Sequence, residues 1–182
     1  DKDGSPLYRL SLFKHDSDGA YSNYFTGKDD TNGRDELNLR GKLRFTPNDT
    51  TQIDLTILHV DLNNNYDVWT VDNSFTTLSD TPGKDLQEST AGAIKVTWDG
   101  NSNFSLISTT TIAQSDTDYN FDGDWVNPSV AAYTYDGTFR NQKKRNTTSQ
   151  EIRLVSTENS LLFNNSTDWL IGIYASKLDE DN

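Results

Sequence analysis

The sequence contains no cysteine and no methionine. Without cysteine the chain forms no disulfide, no thiolate metal site and no cysteine nucleophile. A chain that lacks even an initiator methionine is either processed or part of a longer protein. Because both ends fall close to predicted strands, we expect a segment of a longer protein.

Apolar residues are also scarce, at 32% of 182 residues. No stretch approaches the roughly 20 consecutive apolar residues of a membrane helix. The first residues, DKDGSP, do not resemble a signal peptide. A transmembrane β-barrel, in contrast, leaves no such helical signal, because its strands are short and alternate.

Positive charge is the third shortage, since 16 Lys and Arg stand against 28 Asp and Glu, for a net charge of -12. We therefore expect no nucleic-acid partner. A polar composition of this kind can indicate disorder. The 8 Tyr, 8 Phe and 4 Trp and the clear alternating runs argue instead for strands separated by long polar loops.

The clearest alternating run is ELNLRGKLRF, from Glu36 to Phe45. Its odd-numbered positions carry Leu, Gly and Phe, and its even-numbered positions carry Glu, Asn, Arg and Lys. A strand separates these two sets completely onto opposite faces, whereas a helix scatters them. Similar alternation predicts further strands at residues 7–13, 51–61, 88–98, 103–114, 147–156 and 169–176.

The connections between these strands are long, short, long, short, long and intermediate. In an up-and-down meander, alternate connections lie at the same end, so the three long loops share one rim. This pattern predicts an all-β fold: an antiparallel up-and-down meander of about seven strands, an incomplete segment of a transmembrane β-barrel with three long loops on one rim, forming one unit over residues 1–182. The alternative is a soluble β-sandwich, although its hairpin loops are usually much shorter.

The run RDELNLRGKLRFTPNDTTQIDLTILHVDLNNNYDVW, residues 34–69, resembles the barrel of TonB-dependent outer-membrane receptors. TSQEIRLVS at 148–156 and DWLIGIYASKLDED at 168–181 resemble another pairing of that family, most often seen in siderophore receptors. The resemblance implies seven of roughly 22 barrel strands. The plug domain, the energy-coupling box and the aromatic-ended final strand of such receptors are missing from this sequence.

The resemblance implies a non-enzymatic function in the bacterial cell outer membrane, namely energised uptake of a ferric siderophore or similar nutrient. The TonB system would act through the missing plug, and outer-membrane lipid would surround the barrel. The leucine face of Glu36 to Phe45 would then meet lipid, and its charged face would line a polar lumen. The alternative function is a soluble sandwich module that binds carbohydrate or another small ligand.

One motif could bind calcium. Asp118, Asn120, Asp122 and Asp124 lie in a D-x-N-x-D-G pattern, which is the first half of an EF-hand-type loop. The twelfth position is Ser129 where a bidentate Glu is expected. The alternative is a solvated turn.

Aromatic residues in the predicted loops could form a ligand-catching surface, because aromatic faces bind ligands at low entropic cost. The residues are Tyr66, Trp69, Tyr119, Phe121, Trp125, Tyr133 and Tyr135. The alternative is that these loops pack on themselves.

The only basic cluster, Arg140 to Arg145, could meet an anionic ligand or lipopolysaccharide, or could be a solvated charge run. The two histidines, His15 and His59, define neither a catalytic triad nor a metal site. There is no G-x-S-x-G elbow and no glycine-rich phosphate loop. We therefore predict that the chain is not an enzyme.

Overall fold

The computed structural model describes residues 5–130 and 137–182. The chain is all-β, with 67% of residues in strands and 2% in helix. The strands are β1 Leu7–Ser17, β2 Ser22–Asn23, β3 Arg34–Asn48, β4 Thr51–Tyr66, β5 Thr76–Thr77, β6 Gly83–Trp98, β7 Phe104–Asp122, β8 Thr138–Ser156 and β9 Leu170–Asp181. A short 3-10 helix, Glu158–Ser160, precedes β9. Within the described residues, no helix is long and apolar enough to cross a membrane.

The seven long strands form one antiparallel sheet in the order β1-β3-β4-β6-β7-β8-β9, and this sheet is not closed. The prediction of a seven-stranded antiparallel meander is therefore confirmed. β2 and β5 form a separate two-stranded parallel sheet. Since direction alternates from strand to strand, the two edge strands β1 and β9 run in the same direction.

The strands are longer and the loops shorter than the sequence predicted. Residues 115–146 were expected to form a loop, yet β7 continues to Asp122 and β8 begins at Thr138. Polar side chains hold this extension together, because they bond across the strands. For example, the Gln142 side chain donates to the Asp118 carboxylate at 3.0 Å. The loop rim, as we call that end of the sheet, carries the connections 18–33, 67–82 and 123–137.

The register places the predicted apolar sets on a single face. Leu43 lies opposite Leu55, which lies opposite Ile94. Residues directly opposite one another project from the same side of a sheet. We call this side the apolar face. The other side, the polar face, carries Arg40, Lys42 and the other even-numbered residues of β3 up to Arg44.

Neither face has a hydrophobic core beneath it. Among residues 5–130 and 137–182, Val126 is the only apolar side chain that is buried. On the apolar face, Leu10 is 76% exposed, Ile57 is 63% exposed and Ile173 is 69% exposed. The hydrogen-bonded sheet therefore forms without covering its own apolar side chains.

The apolar residues form a band that crosses the sheet obliquely. The row of paired residues through Leu10 reaches β9 at Lys177. The apolar run of β9 nevertheless centres on Gly172, five residues earlier. This offset is about 17 Å along β9, against about 29 Å for the six strand spacings that separate β1 from β9. The strands are therefore tilted by about 30° from the normal to the band, close to the tilt of barrel strands.

Two glycines provide a test of the pairing between β6 and β7. A Cβ added at Gly83 would lie 1.9 Å from the backbone oxygen of Asn120, whereas one added at Gly41 meets nothing within 4 Å. We expect Gly83→Ala to lower the free energy of unfolding in detergent by about 1–3 kcal/mol through overpacking. Gly41→Ala should leave it unchanged or raise it by up to about 1 kcal/mol. Equal urea midpoints for the two variants would contradict the pairing at Gly83.

Candidate functional site

Aromatic side chains gather on the polar face at the loop rim. Tyr66 ends β4, while Tyr119 and Phe121 lie near the end of β7. Phe121 is paired directly with Phe139, near the start of β8. Trp69 and Trp125 come from the connections that follow β4 and β7. The alternation of side chains along each strand thus places the four strand residues on the same side of the sheet. The two connections add the indole rings of Trp69 and Trp125.

The rings of this aromatic cluster are in contact along its length. The Tyr66 and Tyr119 ring centroids are 4.9 Å apart, and those of Phe121 and Phe139 are 5.0 Å apart. Trp69 reaches Phe121 at a centroid distance of 6.3 Å. The contacts place the strand rings and the loop rings in one continuous apolar surface.

The outer end of the cluster is a stacked indole pair. The Trp69 and Trp125 rings are 5.1 Å apart and inclined by only 8°. Trp125 has φ +65°, in the left-handed region that non-glycine residues rarely adopt. Its backbone N–H donates to the Asp122 carboxylate at 3.3 Å, which holds this turn. Both indoles remain partly exposed, so a planar or apolar ligand group could stack on the outer surface of the pair.

Five of the seven predicted ligand residues come together here, namely Tyr66, Trp69, Tyr119, Phe121 and Trp125. The other two, Tyr133 and Tyr135, lie outside the described residues. One expectation about these residues was wrong: Tyr66, Tyr119 and Phe121 lie in strands rather than in loops.

Phe139 belongs to the cluster but was not among the predicted ligand residues. Its only sequence signal is a single aromatic residue within the polar run TFRNQKK. That signal becomes informative only once the register pairs Phe139 with Phe121.

A buried carboxylate holds two of the rim loops together. The Asp67 carboxylate accepts hydrogen bonds from Asn23 Nδ2 at 2.8 Å, from Thr77 Oγ1 at 2.8 Å and from Thr31 Oγ1. All four residues are buried. Since Asn23 and Thr31 belong to connection 18–33, this group of hydrogen bonds, the Asp67 cluster, fixes that connection against connection 67–82. It thereby positions Trp69, two residues beyond Asp67.

The segment predicted to bind calcium is not a wrapped loop. Asp118 and Asn120 lie within the extended strand β7, so the expected loop conformation through Asp122 is wrong. The Asp118 carboxylate accepts hydrogen bonds from Arg140 Nε at 3.0 Å and from Gln142 Nε2 at 3.0 Å. Calcium binding itself stays a prediction. The described part of the chain contains no group of three or more His, Cys, Asp or Glu side chains that could hold a metal ion.

Asp122 and Asp124, the other two predicted calcium ligands, shape the turn after β7. Asp122 Oδ1 accepts the backbone N–H of Asp124 at 3.1 Å, and Asp124 Oδ1 accepts that of Val126 at 3.1 Å. Asp122 is buried, and its Oδ2 has no hydrogen-bond partner among the described residues. Burial therefore raises the pKa of Asp122 above its ordinary value of 3.8.

The basic cluster is largely matched by acidic residues on neighbouring strands. Arg140 pairs with Asp118, and both Arg145 and Lys143 pair with Glu180. These contacts join β8 to β7 and β9. The two histidines project from opposite faces, because His15 lies opposite Glu36 and His59 lies opposite Leu39. They therefore do not share a site.

A cavity with a volume of about 650 Å³ lies near the loop rim. Several of its lining residues stand in one row of paired positions on the apolar face, beyond the apolar band. The row consists of Lys14, Leu37, Asp61, Glu88, Asp116, Lys144 and Asp181. The same side of the sheet is thus apolar toward the short turns and charged near the loop rim.

A scan against protein-family models gives no match for this chain, and a search of curated proteins gives no significant relative. The site is therefore interpreted from its own residues.

The contribution of the Asp67 cluster to loop stability can be tested by substitution. Asp67→Ala leaves the buried donors of Asn23, Thr31 and Thr77 without their acceptor, which we expect to cost the loops at least about 2 kcal/mol. Limited proteolysis should then cleave within 18–33 and 67–82 much faster than in the parent chain. Asp72→Ala, which removes an exposed carboxylate from the same connection, is the matched control. Equal cleavage rates for both variants would contradict the conclusion that the Asp67 cluster holds these two connections together.

Proposed function

We propose that the chain is a barrel segment of a TonB-dependent receptor in the bacterial outer membrane, taking part in energised uptake of a ferric siderophore or similar nutrient. The observation that carries this proposal is the uncovered apolar face. A water-soluble sheet buries such a face, and each covered Leu or Ile stabilises the fold by about 1.5–3 kcal/mol. Lipid tails cover the same side chains from outside, which supports a membrane environment.

The residues that border the apolar band support the same proposal. Phe45 lies near the end of β3, and Trp98 and Phe104 flank the turn between β6 and β7. Trp169 directly precedes β9. All four lie toward the end of the sheet opposite the loop rim, where the short turns are. Aromatic residues are enriched where a barrel wall meets the membrane interface, because their rings are apolar and carry polar groups or edges.

The open edges of the sheet fit a segment of a larger barrel. β1 and β9 each have one unpaired side, and unpaired strand edges attract further strands. Because β1 and β9 run in the same direction, antiparallel closure requires an odd number of additional strands between them. A second copy with its loops on the same rim supplies seven strands, but both of its edges would run parallel to those of the first copy. Strands of a longer chain are the simpler source.

The aromatic cluster supports a ligand-capturing function. It lies at the loop rim on the face opposite the apolar band, which in a barrel is the mouth of the lumen. Its stacked indoles are partly exposed and are backed by rings fixed on strands. Rigid aromatic side chains bind planar or apolar ligand groups with little loss of conformational entropy. Uptake through such a segment involves capture and transfer, with no bond made or broken.

The alternative, a soluble β-sandwich, requires a different cover for the apolar face. A sandwich needs a second large sheet packed about 10 Å from the first, with the apolar face between them. Within the described ranges, the only other sheet consists of the two-residue strands β2 and β5. The two proposals therefore differ in what covers the apolar face.

Adjacent residues of β4 provide the test. Ile57 projects from the apolar face and Thr56 from the polar face. In lipid vesicles, we expect Ile57→Arg to lower the free energy of unfolding of the chain by about 2–4 kcal/mol, the cost of arginine on the lipid face near the bilayer midplane. Thr56→Arg should have little effect. The measurement is the fraction of chain protected from protease in vesicles, followed across a urea titration.

Two results would contradict the proposal. One is an equal loss for the two variants, and the other is a parent chain that is monomeric and cooperatively folded in water without detergent. The second result would favour the soluble module, because its apolar face would then be covered without lipid.

A further inference from the structure

A small cavity on the polar face is lined only by hydrogen-bond donors of β1 and β3. Its volume is about 90 Å³, and its lining residues are Arg9, Ser11, Arg40 and Lys42. Arg9 lies directly opposite Lys42, and Ser11 lies directly opposite Arg40. The alternation that puts the leucines of β3 on the apolar face thus brings three cations together on the other side.

These three cations have no acidic partner among the described residues. Eight ion pairs join other side chains there, and none of them includes Arg9, Arg40 or Lys42. Like charges directly opposite each other destabilise a sheet, so this arrangement has a cost. The chain as a whole has a net charge of -12. Three neighbouring cations without an ion pair thus contrast with the acidic balance of the whole chain.

The acidic side chain that lies diagonally across from Lys42 on the same face is already hydrogen-bonded. Asp54, on β4, accepts two hydrogen bonds from Arg44, at 2.6 Å from Nε and 3.2 Å from Nη2. It also accepts one from Gln52 at 2.8 Å. The comparison with Arg44 shows what a matched cation on this face looks like. The cavity of Arg9, Arg40 and Lys42 lacks that match.

We propose that this cavity binds a small oxyanion, such as phosphate, sulfate or the carboxylate of a small molecule. Two guanidinium groups offer paired donors that fit the oxygens of an oxyanion, and the ammonium and hydroxyl groups add single donors. The cavity has room for more than one water molecule, enough for a compact anion. This inference requires only that solutes reach the polar face, so it stands apart from TonB-dependent uptake.

Inorganic phosphate is the probe for this site, titrated by calorimetry into the full 182-residue chain in uncharged detergent. We expect saturable binding to one site. Arg40→Gln should weaken it at least about tenfold, because a hydrogen bond to a charged group contributes about 1.5–3 kcal/mol. Lys177→Gln is the control, since it removes the same charge from the apolar face, where Lys177 pairs with Asp179. This control should retain phosphate affinity within about twofold of the parent.

A second readout protects the test against a variant that folds poorly. Phosphate should raise the urea midpoint of the parent chain and of Lys177→Gln, but not that of Arg40→Gln or Arg9→Gln. Three results would overturn the proposal. They are an absence of saturable binding, equal weakening in Arg40→Gln and Lys177→Gln, and binding of an acidic peptide without binding of phosphate.

Discussion

The structure depends on a sheet whose inner strands are paired on both sides while its apolar side chains stay uncovered. Seven strands exchange hydrogen bonds with their neighbours, yet Val126 is the only buried apolar side chain in the part of the chain that the structure describes. Backbone pairing alone is a small net contribution in water, because it replaces bonds to solvent. The fold therefore needs an environment that covers the apolar band. In a bilayer the balance changes, since unpaired backbone groups are costly there and apolar side chains are accommodated.

The same alternation that builds the apolar face also builds the sites on the other side. Each strand that turns a Leu or Ile one way turns a polar or charged residue the other way. At the loop rim this polar face carries the aromatic cluster, and nearer the turns it carries the cationic cavity of Arg9, Arg40 and Lys42. The buried Asp67 cluster holds two of the rim loops together. One period of two residues thus separates the apolar face from the polar face, which carries both proposed binding sites.

Local patterns predicted the strands and their faces correctly, because alternation is a property of neighbouring residues. They did not predict how far β7 and β8 extend, since that depends on pairing between Asp118 and Gln142 across 24 positions. The Asp67 cluster was missed for the same reason, as two of its three donors lie 36 and 44 residues away. Phe139 joined the cluster only through its pairing with Phe121. What the sequence left open was therefore contact between distant segments.

The proposed contact between the apolar face and lipid hydrocarbon can be measured directly. The absence of cysteine allows single cysteines to be placed along Ile53 to Asp61 in β4 and spin-labelled without background. Electron paramagnetic resonance in vesicles then compares the accessibility of each label to oxygen and to a polar nickel reagent. Contact with lipid predicts a period of two, with the oxygen preference at residues 53, 55 and 57. A constant accessibility profile, or an oxygen preference at residues 54 and 56, would contradict it.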